Sequence, residues 1–399
     1  MRVLQLSNRS ELKQILREIK VDPCGIKIMA PKAFSHLVRI NSLSNIAANI
    51  LKQEMLSLGG DAAIARDALT GKVKKTDCLL MANLAQFDRL NGKLNRQPFG
   101  LDKLAGDLSR VLDNYQRDNF VLDLGRHRLN LGLRAHIAGV ANITPDSFSG
   151  DGLSRVALAD IADFIEKMVR DGADIIEVGG ESSQPGAKPV TAKEELSRVI
   201  PVIKKIAKRI KVPLAIDTYK PEVARAALDN GAVIINDITG LRNPKMVKIA
   251  VRYKAGVVIM HMKGNPRTMQ KNPGYVSLLD EVAGYLSKAV ESAVASGIGR
   301  EKIIIDPGIG FGKALEHNLE ILRRLGEFKA LGRPIMVGTS RKSFIGKILN
   351  AGPKERIFGT VASCVLAIKN GAKIVRVHDV KEVKQALRVL ESANRISLC

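Results

Sequence analysis

Apolar residues change their spacing about a third of the way along the 399-residue chain. From about residue 136 onward, short apolar runs alternate with longer amphipathic stretches. The runs are "HIAGVAN", "DIIEVGG", "PLAID", "VIIND", "GVVIMH", "KIIIDPG", "PIMVG" and "KIVRVHD". Each has the length and the aliphatic content of a buried strand. Between them, "LADIADFIEKMVRDG", "KEELSRVIPVIKKIAKRI" and "HNLEILRRLGEF" carry apolar residues at helical spacing. Strands alternating with helices in this number predict an α/β fold, a (β/α)8 TIM barrel. The stretches "RDGADIIEV", "DNGAVIIND", "YKAGVVIM" and "KNGAKIVRV" predict helices that end at glycine and pass directly into the next strand. Such short loops belong on the face of a barrel that carries no chemistry.

The earlier part follows a different pattern. "SNIAANILKQEMLSLGGDAAIA" has a helical period that stops at paired glycines, and "TDCLLMA" reads as a short strand. Regular alternation is otherwise absent here, and "LNGKLNRQPFGLDKLAGDLSRVLDNYQRD" reads as a loop and a helix leading onward. The expectation is a smaller N-terminal α/β domain over residues 1–130, of unknown role, followed by a catalytic barrel over 131–399. No catalytic constellation stands out in the first part.

Composition narrows the class without changing the layout. Hydrophobic residues make up 45% and charged residues 26%, which suits a globular protein rather than a disordered one. Tryptophan is absent and aromatics reach 4%, so a base-stacking surface is not expected. The formal charge of +23 is spread along the chain instead of gathering in an arm. This favours attraction of small anions over nucleic-acid binding. Four cysteines lack metal-binding spacing and predict neither a zinc site nor a disulfide framework. With no signal-like segment and no uninterrupted apolar span, the protein is expected to be soluble and cytoplasmic, with no membrane partner.

Candidate chemistry collects where the strands end. Asn142, Asp217, Asn236, Asp237, His261, Asp306 and His378 follow or close apolar runs, which is the active face of a barrel. Any one of them is explained as a cap for the next helix. The set, converging on one mouth, is not. In "IIIDPGIGFGK" the glycines at 308, 310 and 312 follow the acid in GxGxG order, a poor match to a dinucleotide cradle. Asp306, Asp217, Asn236 and Lys342 together suit a flat heterocycle with adjacent N–H donors and a carbonyl, such as a pterin or guanine edge. Arg376 and His378 in "VRVHD" add an anion-seeking pair.

"ANITPDSFSGDG", "GGESSQPGA", "AIDTYKPEVA", "IINDI", "MHM", "IDPGIGFGK", "GTSRKSFIG" and "VRVHDV" occur in this order, and together they resemble dihydropteroate synthase over about residues 136 to 392. The resemblance implies condensation of 6-hydroxymethyl-7,8-dihydropterin diphosphate with 4-aminobenzoate, giving 7,8-dihydropteroate and diphosphate in folate biosynthesis. It implies a pterin site of Asp217, Asn236, Met260, Asp306, Phe311, Gly338 and Lys342. Asn142, Arg376 and His378 would receive the diphosphate, with Mg2+ near Asn142. Ser343, with Phe148, Ser183 and Pro185 on two loops, would shape the aminobenzoate pocket. Lys342, Arg376 and His378 would carry the catalytic role, small molecules would be the ligands, and a homodimer is expected.

Two loops depart from the family's pattern. Gly150 stands where an acid is usual, with Asp151 displaced by one, and Gln184 stands where an arginine is usual. Two other readings compete. A pterin-dependent methyltransferase of the same superfamily would share the ring-binding elements but needs no anion pocket. A basic, non-enzymatic RNA-binding protein would instead show affinity falling steeply with salt.

Overall fold

Between Ser35 and Ser44 half-buried and exposed residues alternate, and this stretch forms the first strand, β1. Sequence reading missed it, because the alternation is of partial rather than full burial. A helix follows over Asn45–Ser57, with the Ser44 hydroxyl accepting from the Ala47 amide. Strands β2 (Asp61–Ile64) and β3 (Lys75–Asn83) complete an antiparallel sheet in the order β1-β3-β2. Leu51, Met55, Leu80, Phe87, Leu90 and Leu108 form the core between this sheet and its helices. The computed structural model describes residues 1–395 apart from positions 7, 133, 145–157, 183–185 and 267. It separates into two compact units, Met1–Asp113 and Asn114–Cys399.

In the second unit the first strands, β4 (Val121–Leu124) and β5 (His127–Asn130), form a hairpin. The boundary expected at residue 130 is therefore corrected to 113/114. The reason is burial: Leu122, Leu124 and Leu131 pack with Ala138, Ile175, Ala215, Ile234 and Ile374 at the start of the barrel strands. The hairpin is the floor of the barrel.

All eight apolar runs form strands, namely β6 (His136–Asn142), β7 (Ile175–Gly179), β8 (Leu214–Asp217), β9 (Ile234–Asp237), β10 (Gly256–Met260), β11 (Ile303–Asp306), β12 (Met336–Val337) and β13 (Ile374–Val377). They pair in parallel in the order β11-β10-β9-β8-β7-β6-β13-β12. A parallel bridge from Ile305 to Ile335 joins the two ends and closes the ring. Helices return the chain between strands, so (β/α)8 topology is observed as expected. One loop differs in detail: in "YKAGVVIM" the left-handed residue is Lys254, with φ 49°, and Gly256 opens the strand.

Alternation along the strands sorts their side chains into two sets. Ile137, Ile176, Ile216, Ile235, Ile259, Ile305 and Val375 point outward into the large core shared with the helices. The intervening residues point inward. Among the described residues no helix is long and apolar enough to cross a membrane.

Candidate active site

Counting along the inward-facing positions builds the site in tiers. The lowest tier is apolar and rests on the hairpin: Ile175, Ala215, Ile234, Ile304 and Ile374. Two residues further along the same strands stand Glu177, Asp217, Asn236, Asp306 and Arg376. On β10 and after β12 the same step leads from Val258 to Met260 and from Met336 to Gly338. A strand repeats its facing every second residue, so the step from an apolar floor to a ring of charge is abrupt. Asn142, Ser340 and His378 lie one step higher.

The charged tier is shielded from water. Asn236 is 0%, Asp306 1%, Glu177 2% and Arg376 9% exposed. Asn236 Nδ2 donates to Glu177 Oε2 at 3.1 Å and to Asp217 Oδ1 at 3.3 Å. Asp306 Oδ1 accepts from the Gly308 amide at 2.7 Å. Arg376 lies 3.6 Å from Glu177 and 3.8 Å from Asp306. Three buried atoms in this ring have no hydrogen-bond partner: Asn236 Oδ1, Asp306 Oδ2 and Arg376 Nη1. Leaving such atoms unpaired is costly unless a ligand completes them.

Electrostatics follow from burial and crowding. Burial first, then the neighbouring charge of Glu177, pushes the Asp217 carboxyl up to about 8. Glu177 is raised for the same leading reason. Burial opposes the charge of Arg376, yet Glu177, Asp306 and Asp217 hold its pKa above the ordinary range. Lys342 falls to about 7 through burial and the proximity of Arg376. Its ammonium lies 4.1 Å from the centre of the Phe311 ring, a cation–π contact. His378 falls to about 4, chiefly by burial. It meets Ser340 Oγ through Nδ1 at 3.0 Å and Asn142 Nδ2 through Nε2 at 3.3 Å.

Two glycines keep the backbone close to these groups. A Cβ at Gly308, where φ is 71°, would fall 1.9 Å from the His261 carbonyl. One at Gly338 would stand 3.0 Å from two nitrogens of the Arg376 guanidinium. Met260 and Phe311 are buried with Ile238, Met262 and Met269 in an apolar cluster.

Most of the residues singled out from sequence therefore share one mouth: Asp217, Asn236, Met260, Asp306, Phe311, Gly338, Lys342 and Arg376 at its centre, Asn142 and His378 above. Ser343 opens the helix Ser343–Leu349 and is exposed. Phe148, Ser183 and Pro185, with Gly150, Asp151 and Gln184, lie outside the described residues. Two strand-end residues have other work. Asp237 accepts from Thr239 N and Oγ1 and from Leu241 N, fastening its own loop. His261 receives the ammonium of buried Lys313 at 2.9 Å. Arg341 pairs with Asp379 instead of joining Lys342.

Sequence reading missed Glu177 and a polar group just after the ends of β7 and β8. Glu181 accepts from Tyr219 OH at 2.9 Å and pairs with Lys220, which also pairs with buried Glu195. The signal for Glu177 was an acid inside "DIIEVGG", two positions beyond an inward isoleucine.

Residues 138–378 match the sequence family described as pterin binding enzyme. The dihydropteroate synthase of Escherichia coli K12 is 48% identical over 257 residues, which is 64% of this chain and 91% of that protein. A probable bifunctional folylpolyglutamate synthase/dihydropteroate synthase of Halobacterium salinarum is 40% identical over 96% of this chain and 46% of its own length. The solved structure of Xanthomonas albilineans dihydropteroate synthase with 4-aminobenzoic acid superposes with a TM-score of 0.65 at 38% identity, covering 69% of this chain and 98% of that one. With its eight-stranded barrel and its ring of buried polar groups, the chain belongs to the dihydropteroate synthase family of pterin-binding enzymes.

Proposed function

We propose that the barrel mouth binds the pterin diphosphate through its charged tier and delivers the pterin methylene to 4-aminobenzoate at the rim. The carrying observation is the set of unpartnered atoms: Asn236 Oδ1 and Asp306 Oδ2 as acceptors, with Arg376 Nη1 as donor beside them. A ring edge with N–H groups and an attached anion supplies complementary partners for all three. Asp217 and Asp306 hold the amino-pyrimidine edge, Met260 and Phe311 flank the ring, and Lys342 reaches its polar atoms. Arg376, His378 and Asn142 receive the diphosphate.

In the reaction the bond from the methylene carbon to the diphosphate oxygen breaks, and a bond to the arylamine nitrogen forms. The nitrogen then loses a proton, and diphosphate leaves with the electron pair. Neutral arylamine is nucleophilic enough, so the site's work is positioning and charge stabilisation. Among the described residues no three histidine, cysteine or carboxylate side chains are grouped to hold a metal. Asn142 turns its Nδ2 to His378 Nε2 at 3.3 Å, so its amide oxygen would be the protein ligand of a magnesium ion carried mainly by phosphate oxygens and water. When bound, the ion would neutralise charge on the departing diphosphate. Ser343 and the loop residues Phe148, Ser183 and Pro185 complete the proposal as the aminobenzoate pocket.

A homodimer belongs to the same reading, supported by Phe358, Ile348 and Leu349, which are large, apolar and exposed. A cytoplasmic setting is supported by free Cys24, Cys78 and Cys364, as a reducing compartment allows. The test of the reaction is turnover of the two substrates with Mg2+, following dihydropteroate and diphosphate together. Equal amounts of both are expected. Methyl transfer from a methylated pterin without diphosphate release would overturn the proposal, as would tight RNA binding with no affinity for the diphosphate substrate.

A further inference from the structure

Glu177 is buried at the centre of the mouth, and both its oxygens are turned to protein groups. Its Oε2 accepts from Asn236, and its Oε1 faces Arg376 at 3.6 Å. A buried ion pair as a whole can often be replaced by apolar residues without loss of stability, so packing alone does not account for an acid facing Arg376 here.

We propose that Glu177 is the positioning residue of the site, fixing which way the Asn236 amide faces and holding the Arg376 guanidinium in place for the diphosphate. An amide has two chemically opposite ends of nearly the same shape. Carboxylates of Glu177 and Asp217 on one side take both N–H groups of Asn236, and this leaves Oδ1 as the acceptor offered to a ring. Toward Arg376 the spacing is longer than a hydrogen bond. Glu177 therefore attracts the guanidinium without using Nη1, which stays available. Both tasks require an acceptor-only group facing two sets of donors, which a carboxylate is and an amide is not. The inference rests on the proposed reaction for the identity of the ligands.

Charge gives a readout that packing would not. Asp217 is faced by Glu177, Arg376, Glu195 and Asp237, and by Lys342, which itself falls to about 7; after burial the charge of Glu177 contributes most to raising the Asp217 pKa to about 8. Ionised Asp217 is the form that accepts from a ring N–H, so pterin affinity should rise with pH through that region. Removing the charge at Glu177 should move this limb to lower pH.

The experiment compares wild type, Glu177→Gln and Glu177→Asp. It uses steady-state kinetics, calorimetry with 6-hydroxymethyl-7,8-dihydropterin across pH, and thermal melts. For Glu177→Gln, kcat/KM for the pterin diphosphate should fall roughly ten- to hundredfold, as for loss of a charge-assisted contact. Affinity for the pterin alcohol should fall about tenfold, the KM for 4-aminobenzoate should hold, and the pH limb should shift down. Glu177→Asp keeps the charge and should restore the limb and part of the affinity. The proposal is overturned if Glu177→Gln retains wild-type kcat/KM and pH limb. It is also overturned if both variants lose melting temperature and activity equally while the limb stays put. A wild type that makes no dihydropteroate but whose pterin affinity and pH limb respond to Glu177→Gln would sink the proposed reaction and leave the positioning role standing.

Discussion

Asp306 holds two partners in two directions, and this division decides what its loss should do. Its Oδ1 fastens the Gly308 amide, while its Oδ2 is free and close to Arg376. Asp306→Asn keeps an oxygen for the loop but presents N–H2 where a ring also donates. Pterin affinity should fall roughly ten- to hundredfold, since hydrogen bonds to charged groups contribute about 1.5 to 3 kcal/mol, with the thermal melt nearly unchanged. Unaltered affinity by calorimetry would reduce Asp306 to a loop fastener. The residue was legible in sequence because a carboxylate closing an aliphatic run before Pro-Gly cannot be explained by the strand. Glu177 was not, because an acid in the middle of a run looks like a strand residue facing water until the barrel closes. Asp237 was overread for a related reason: its two oxygens are consumed by backbone amides that only the folded loop brings near.

The elements were easiest to read where burial is complete. Strands buried on both faces are continuous aliphatic runs, so β6 to β13 stood out. Exposed sheet faces blur the pattern, and β1, where burial is only partial, escaped notice. The hairpin β4–β5 escaped assignment because its leucines report that they are buried but not against what. Its removal tests the revised boundary. Leu122 and Leu124 are each almost fully buried, and burying a leucine contributes about 1.5 to 3 kcal/mol. A fragment of residues 131–399 should thus lose on the order of 3 to 6 kcal/mol relative to 114–399, a large part of a typical domain's stability. Denaturant midpoints of the two fragments would measure it, and equal midpoints would make the hairpin an ornament. Gly338 belongs to this scale too, since the end of β12 must stay bare for Arg376 to pass.

For the molecule as a whole, Phe358 is 83% exposed on the helix Ile357–Lys369, and Leu349 of the neighbouring helix lies against Gly359. An apolar face of this kind is unusual on a monomer. If it joins two copies, sedimentation should find a dimer in the wild type and a monomer in Phe358→Asp, with the barrel's melt preserved. A monomeric wild type would remove the idea. The Halobacterium relative extends the match through most of the N-terminal unit, whose sheet has no chemistry of its own that either sequence or structure points to. The hairpin beneath the barrel has one further effect. Because Leu122, Leu124 and Leu131 seal the lower end, the vessel fills and empties through a single opening. On the proposed assignment the pterin's partners lie deepest and Ser343 lies at the lip, so an occupant of the lip would block traffic below. On that assignment substrates would load in a fixed sequence, pterin before arylamine, and an arylamine arriving early would act as a stopper rather than as a reactant.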